Sequence, residues 1–443
     1  MTAMNTATNP GSYRFNLPES ASAISLQKSL VSLEQALWDI ECCADSYAIG
    51  PGNHPWQPPA FGSGALPINV MGMLASEKGV GEAARTTIRS LQAVGVDATL
   101  NNFTDTGAEN ADRTCAQISA DNPHPINLLH IGPDLFDQFL DEGGGAYLRG
   151  RFNIACWAWE LPDFPRRWES HFAHINEIWV PSQFNVDTIS AVAPVPVIRM
   201  PHAIAPWLPV RRCDRSLFGI PADAFCFLYV FDCASSIERK NPLGLIEAFK
   251  LAFGTGDRAM LVLKFARGHE DPTGARAIAK AAEGANISII DEVLPRAELN
   301  ALINHCDCYI SLHRSEGFGL TLAEAMSLGK PVIGTNYSGN VDFMTPANSY
   351  LVDCHLVEIA RSFDQYTQGS HWAQPDTRHA AALMRQVCSN PVAAGQIGRQ
   401  ARRDILRTLH PRVVGTKMRD RLFRCLDRRS TGARNDLSQH TRS

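Results

Sequence analysis

Long hydrophobic runs are missing from this chain. No stretch approaches the ~20 apolar residues that a membrane-crossing helix needs. The N-terminus also lacks a basic segment followed by an apolar run, so neither a transmembrane anchor nor a secretory leader is expected. Charge of one sign is scarce as well: 41 Lys and Arg against 45 Asp and Glu leave a net charge of -4, which gives no electrostatic reason to expect a nucleic-acid partner. The 12 cysteines form no CxxC pair and no zinc-ligand spacing. They are expected to be reduced, mostly buried thiols of a cytoplasmic protein, with Cys306 and Cys308 on a buried strand. No Asp-x-Asp pair occurs either, so a metal bridging phosphates has no visible ligand set, and neither metal nor cofactor is expected.

What is present is the composition of a globular protein whose 443 residues are enough for two large domains plus extensions. Short apolar runs predict strands from Ile68 to Leu74, near Leu100 to Phe103, and over Ile126 to Ile131, Phe152 to Cys156, Glu177 to Val180 and Val195 to Ile198. Helical stretches are expected between them near Pro133 to Leu140, Phe164 to Ile175 and Gln183 to Ala191. A second series follows, with strands from Phe225 to Phe231, Met260 to Leu263, Ile287 to Ile290, Cys308 to Leu312, Val332 to Thr335 and Ser349 to Val352. Such alternation predicts an α/β protein with two doubly wound, Rossmann-like parallel sheets, each covered by helices on both faces. The first domain is expected over 65–207 and the second over 208–405, with a proline-rich hinge from Met200 through Arg215.

The most informative stretch is Ser315-Glu316-Gly317-Phe318-Gly319-Leu320-Thr321, followed by Glu324 eight residues after Glu316. A strand runs into a glycine loop and then into a helix, whose first N–H groups form an anion site that the glycines let a ligand approach. A carboxylate beside an anion site repels phosphate unless it accepts hydrogen bonds from a neutral polyhydroxyl group attached to that phosphate. A nucleotide sugar has both parts. The missing positive charge is expected from Arg239 and Lys240, which precede the N-cap Asn241 and the helix-opening Pro242. Lys264, at the end of its strand, is a further cationic candidate.

The first domain contributes three candidates. Gly79-Val80-Gly81 is a second glycine loop at a helix N-terminus and matches the loose pattern GxGxxA, which keeps a dinucleotide site open. Against that reading, several residues separate the strand from Gly79, and no acidic partner stands at the end of the next strand. His130 ends its strand, where open parallel sheets place ligands; a structural histidine is the alternative. Trp159 and Glu160 lie in Trp157-Ala158-Trp159-Glu160-Leu161-Pro162, a setting that suits either sugar binding or core packing.

The Glu316 to Glu324 spacing inside its Gly-Phe-Gly context resembles the signature of family four glycosyltransferases. The resemblance implies the GT-B fold, in which two Rossmann-like domains face each other across a cleft, and sugar transfer with retention of anomeric configuration. It implies a donor site of Gly79, Gly81, Arg239, Lys264, Gly317, Phe318, Gly319, Leu320, Thr321 and Glu324. Glu316, Lys240 and His130 would be the catalytic group, and Trp159 and Glu160 would meet the acceptor. It further implies a GDP- or UDP-sugar donor, mannose being a frequent cargo, and a glycan or lipid-linked acceptor such as those of bacterial surface polysaccharide synthesis. Where the family often has a further arginine shortly before the Arg-Lys pair, this chain has Asp232, Ala234 and Ser235.

Outside the two domains, residues 1–64 are expected to comprise a disordered start, an amphipathic helix from Ala23 to about Ala44 and a Pro- and Gly-rich linker. A basic helix over 406–428 is expected to return to the first domain, and its charge also suits contact with an anionic membrane surface. Residues 429–443 are expected to be disordered. Two readings from other classes stay open: a nucleotide- or dinucleotide-binding oxidoreductase or regulatory protein using Gly79 to Gly81, and an inactive GT-B scaffold that binds partners.

Overall fold

A run such as Phe225-Cys226-Phe227-Leu228-Tyr229-Val230 is apolar on both strand faces, so it is stable only in the middle of a layer covered from both sides. The computed structural model answers that demand twice. It describes residues 66–440 apart from 67, 105, 108–109, 116 and 206–213, with the side chains of the last helix described up to Leu426. The expectations for residues 1–64 and for most of the hinge therefore lie outside the described residues.

The first sheet contains β1 (Ile68–Gly72), β2 (Ala98–Asn102), β3 (Ile126–His130), β4 (Phe152–Cys156), β5 (Glu177–Val180) and β6 (Val197–Arg199), in the order β2-β1-β3-β4-β5-β6. The second contains β7 (Phe225–Val230), β8 (Ala259–Phe265), β9 (Ile287–Asp291), β10 (Cys308–Ser311), β11 (Val332–Thr335) and β12 (Tyr350–Val352), in the order β12-β11-β10-β7-β8-β9. Every pairing within the two sheets is parallel. This is the GT-B architecture of two Rossmann-like domains. A short antiparallel hairpin, β13 (Cys354–Glu358) with β14 (His371–Pro375), was not expected from the sequence.

Register in the first sheet is fixed by more than apolar contact. Asn69, Asn127 and Asn153 stand side by side on β1, β3 and β4 and are all buried. The Asn69 Nδ2 donates to Asn127 Oδ1 at 2.8 Å, and the Asn127 Nδ2 donates to Asn153 Oδ1 at 2.9 Å. A slip of one residue would bury these amides without partners, so the ladder specifies one pairing.

Several boundaries differ from expectation. The helix expected near Pro133 to Leu140 is a single turn, Phe136–Phe139, that continues through a wider turn broken at Gly143. The segment after Phe164 is a 3-10 helix, Arg166–His174. The last break does not fall at 405/406, which lies inside the helix Pro391–Leu409, but at His410, because the ring of Pro411 cannot continue that helix. The final helix, Pro411–His440, extends past residue 428, after which disorder was expected. It packs on the helix Gly79–Gln92 of the first domain, and its Val414, Met418, Leu422 and Cys425 join that domain's core. Arg421 Nε donates to the buried Glu177 at 2.8 Å, which pins the helix to β5. No helix among the described residues is long and apolar enough to cross a membrane.

Candidate active site in the cleft

In an open parallel sheet, loops at the strands' carboxyl ends diverge where the strand order reverses, and the gap between them receives ligands. The order of the first sheet reverses between β1 and β3, and that of the second between β7 and β10. The Gly79 loop follows β1 and His130 ends β3; the Arg239-Lys240 loop follows β7 and the Glu316 loop follows β10. All four meet in one cavity of about 660 Å³ between the two domains. Of the fifteen candidate residues, only Gly81 is absent from its lining. A Cβ at Gly81 would run into the carbonyl oxygens of Ser76 and Met73, so this glycine serves close packing below the loop.

Glu316 is held by cations from the neighbouring loop. Lys240 Nζ donates to Glu316 Oε1 at 2.5 Å, and Arg239 Nη1 lies 3.4 Å from Oε2. Burial alone would raise the Glu316 pKa, but Lys240 and then Arg239 outweigh it and hold the carboxyl at about 2. Burial and the adjacent Arg239 lower the Lys240 pKa, and Glu316 opposes them. The two cations differ in freedom. The guanidinium of Arg239 also donates to the carbonyls of Ser315 at 2.9 Å and Ser235 at 3.0 Å, so it fastens the two loops together. Lys240 has no such backbone ties among the described residues and is the more available to an incoming anion.

The glycines act where the chain is most crowded. Gly319 takes a left-handed conformation (φ 95°) and starts the helix Leu320–Ser327 without a side-chain cap, which leaves its first N–H groups facing the cavity with Thr321. Gly317 passes so near the first domain that its carbonyl accepts from Ser182 Oγ at 2.7 Å. Ser315 Oγ donates to the Glu160 carbonyl, so both domains grip this loop. Lys264 lines the second domain's side; its burial lowers the amine to about pKa 8, against the opposing effect of Asp291 and Glu292.

Two carboxylates have partners that the motif did not reveal. Glu324 forms an ion pair with Arg296 at the start of the helix Arg296–His305, while its Oε2 has no hydrogen-bond partner among the described residues. Glu82, on the first-domain helix, pairs with Arg85 and Arg89 and also feels Arg296 across the cleft. Arg296 and Glu82 both line the cavity. Their only sequence signal is charge at the first turn of a helix, which most exposed helices also show.

The first-domain wall is aromatic and imidazole-rich. His130 is buried, its Nε2 has no partner among the described residues, and burial with the neighbouring His202 lowers its pKa to about 3. It is therefore a neutral ring in the cavity lining. His202 packs edge-on against Phe318 with centroids 5.1 Å apart. Trp159 is buried and donates its indole N–H to Asp163 O at 2.8 Å, so it stiffens the wall more than it offers an open stacking face. Glu160 reaches Arg239 at 3.8 Å, and burial raises its pKa. Among the described residues no group of three or more His, Cys, Asp or Glu side chains is arranged to hold a metal ion.

The second domain, over residues 229–404, matches the family described as glycosyl transferases group 1. Trehalose synthase of Rubrobacter xylanophilus is 24% identical over 237 residues, covering 50% of this chain and 50% of that protein. The chain thus spans about half the length of that curated relative. Among solved structures, sucrose-phosphate synthase from Thermosynechococcus elongatus superposes over 81% of this chain and 98% of its own with a TM-score of 0.59 at 14% identity. HepE of Anabaena, solved with UDP and glucose, covers 80% and 99% with a TM-score of 0.58 at 12% identity. Residues 229–404 therefore resemble the glycosyl transferases group 1 family, within a chain that has the two-domain GT-B fold.

Proposed function

We propose that this protein is a retaining glycosyltransferase, which moves a sugar from a nucleotide diphosphate sugar to a hydroxyl of a glycan or glycolipid. The observation that supports it most is the convergence of the four switch-point loops on one cavity, with Glu316 and Lys240 paired in its lining. The match of the second domain to glycosyl transferases group 1 supports the same reading.

Departure of the leaving group puts negative charge on the diphosphate, and groups already fixed around that position supply the largest catalytic term. Lys240, the uncapped N-terminus at Leu320 and Thr321, and Lys264 take that role; Arg239 keeps the loops in place. The incoming diphosphate draws Lys240 from Glu316, whose freed carboxylate then accepts sugar hydroxyls beside Gly317 and Phe318. Glu324 accepts the ribose hydroxyls once Arg296 yields, and His130 donates or accepts as a neutral ring toward the sugar. In front-face attack the acceptor oxygen bonds to the anomeric carbon as the carbon–phosphate-oxygen bond breaks, and the departing phosphate oxygen takes the acceptor proton.

UDP is the nucleotide in the HepE structures, and GDP-mannose is the donor expected from the sequence resemblance, so both belong in the first assay. Calorimetric titration with UDP, GDP and NAD(H) tests the assignment. Tight binding of NAD(H) with no response to UDP or GDP would replace a transferase with a dinucleotide-binding protein. Because protein cations neutralise the diphosphate in this mechanism, donor turnover is expected to survive EDTA, and a strict requirement for added magnesium or manganese would overturn that step.

Lys264 adds a pH dependence with a defined sign. Its charged form attracts phosphate, and its pKa in the empty site is about 8. Affinity for UDP or GDP is expected to fall as pH rises from that value, where the amine loses its proton. Titrations showing flat affinity through about pH 9 would remove Lys264 from the donor site, since a phosphate contact must couple to the amine's charge.

A further inference from the structure

The segment between β12 and the helix Thr377–Ser389 is not part of the strand-helix repeat. It leaves the second domain as the hairpin β13–β14, and its connecting loop packs on the first. Ile359, Tyr366 and Trp372 are buried there in one cluster with Trp159, Phe164 and Trp168. Arg167 Nη2 donates to Gln365 O at 3.2 Å, and Ser370 Oγ donates to Asp163 Oδ2 at 3.2 Å. The tip thus belongs to the second domain by chain and to the first by packing.

Tyr366 is one of three residues of this loop that line the cavity, with Asp364 and Gln365. It is 2% exposed and stacks on Trp159 with centroids 5.7 Å apart at 26°. Its hydroxyl donates to Glu160 Oε2 at 3.3 Å, while Arg239 Nη2 faces the other oxygen at 3.8 Å. The Arg239 guanidinium carbon lies 5.9 Å from the tyrosine ring centroid. One carboxylate is therefore held at both oxygens by groups from the opposite domain. A carboxylate so fixed still has lone pairs for a hydroxyl donor.

We propose that Tyr366 is a positioning residue for the acceptor: it holds the Glu160 carboxylate so that Glu160 receives a hydrogen bond from an acceptor hydroxyl beside the attacking one, or from the second O–H of an attacking water. The inference rests on the glycosyltransferase reading and adds to it a residue with no place in the glycine-loop and Arg-Lys motifs. It also gives the hairpin a purpose. Glu160 comes from the first domain and its restraints from the second, so the acceptor position forms only where the two domains meet. The charged groups around Glu160 are Arg239 and Lys240, which favour its ionised form, and Glu316 and Asp134, which oppose it; burial raises its pKa most. The tyrosine hydroxyl also favours the ionised form, because a hydrogen bond donated to a carboxylate stabilises its charge.

The test compares Tyr366→Phe, which keeps the stacked ring and removes only the hydroxyl, with Ser370→Ala, which loosens the same loop away from the cavity. Full-length protein is given UDP-glucose or GDP-mannose with water as the acceptor, and nucleoside diphosphate release is followed across pH. Y366F is expected to lower kcat about five- to tenfold with the dissociation constant for UDP or GDP unchanged, since one hydrogen bond to a charged group is lost. Its acid limb should move to higher pH, because Glu160 without that bond protonates more readily. S370A should match the wild type. A wild-type rate and pH limb in Y366F, an equal loss of nucleotide affinity, or the same change in S370A would each overturn the proposal. A wild-type chain that neither binds nor cleaves any nucleotide sugar overturns the functional reading together with it, whereas an unaffected Y366F in an active enzyme overturns the inference alone.

Discussion

Glu316→Ala is expected to lower sugar transfer by about 10²- to 10³-fold while the protein stays folded. In the proposed mechanism the carboxylate is the sugar-facing member of the pair with Lys240, and it is ionised at any working pH because Lys240 and Arg239 hold its pKa at about 2. Its loss removes the acceptor for sugar hydroxyls and lets the anomeric carbon drift from the line between leaving group and nucleophile, an error of position that alone costs heavily. The fold should survive, because Arg239 retains Glu160 and two backbone carbonyls as partners, and Lys240 lines the cavity. Lys240→Ala should fall by a similar factor through loss of charge stabilisation on the diphosphate. Nucleoside diphosphate release, together with circular dichroism to show the fold, checks both; turnover within a few-fold of wild type in either variant would sink its role.

Arg239→Ala should do something different: it should destabilise the protein by about 3–5 kcal/mol as well as abolish turnover. Arg239 is buried among Glu316, Glu160, Ser315 O and Ser235 O, and it joins the β7 and β10 loops to the first domain's wall. Removing it leaves two partly buried carboxylates short of a cation, so the penalty is that of unpaired charge rather than of one lost contact. Arg239→Lys keeps the charge but not the planar fork that serves four acceptors, and it should recover only part of the stability. Urea unfolding of the three proteins measures this. A midpoint for R239A equal to wild type would mean that Arg239 meets ligand only and holds nothing together.

Much of the fold was legible because the signals are local. Both faces of Phe225 to Val230 are apolar, which calls for a covered parallel strand, and Asn241-Pro242 and Gly319 mark helix starts by chemistry confined to a few residues. The strands Phe152–Cys156, Glu177–Val180 and Val332–Thr335 fall where the sequence predicts them for that reason. The turn at Phe136–Phe139 starts later than the pattern from Pro133 suggests, and the chain continues past Leu140 through a wider turn that Gly143 breaks.

The candidate site was legible to the extent that its residues lie at the end of a strand or the start of a helix. What such positions cannot express is which other charge stands opposite. Arg296 facing Glu324, and Glu82 nearby on the other domain, are ordinary first-turn charges in the sequence and become part of the cavity only by folding. Tyr366 gave still less signal: it sits in a loop whose path depends on an aromatic cluster some two hundred residues earlier in the chain. Gly81 shows the converse ambiguity, since a glycine near a ligand loop and a glycine under a tight backbone crossing look the same in one dimension.

By itself, then, the sequence determined the element types, the two α/β halves and the pairing of a glycine loop with carboxylates and cations, since each of these follows from periodicity and local backbone chemistry. The tertiary structure alone decided the strand orders, and with them that β1 and β3, and β7 and β10, are the neighbours between which the four loops open. Strand order is a matter of contacts distant along the chain, where no periodic signal reaches. For the same reason only the fold brought Glu316 to Lys240, and Tyr366 across the cleft to Glu160.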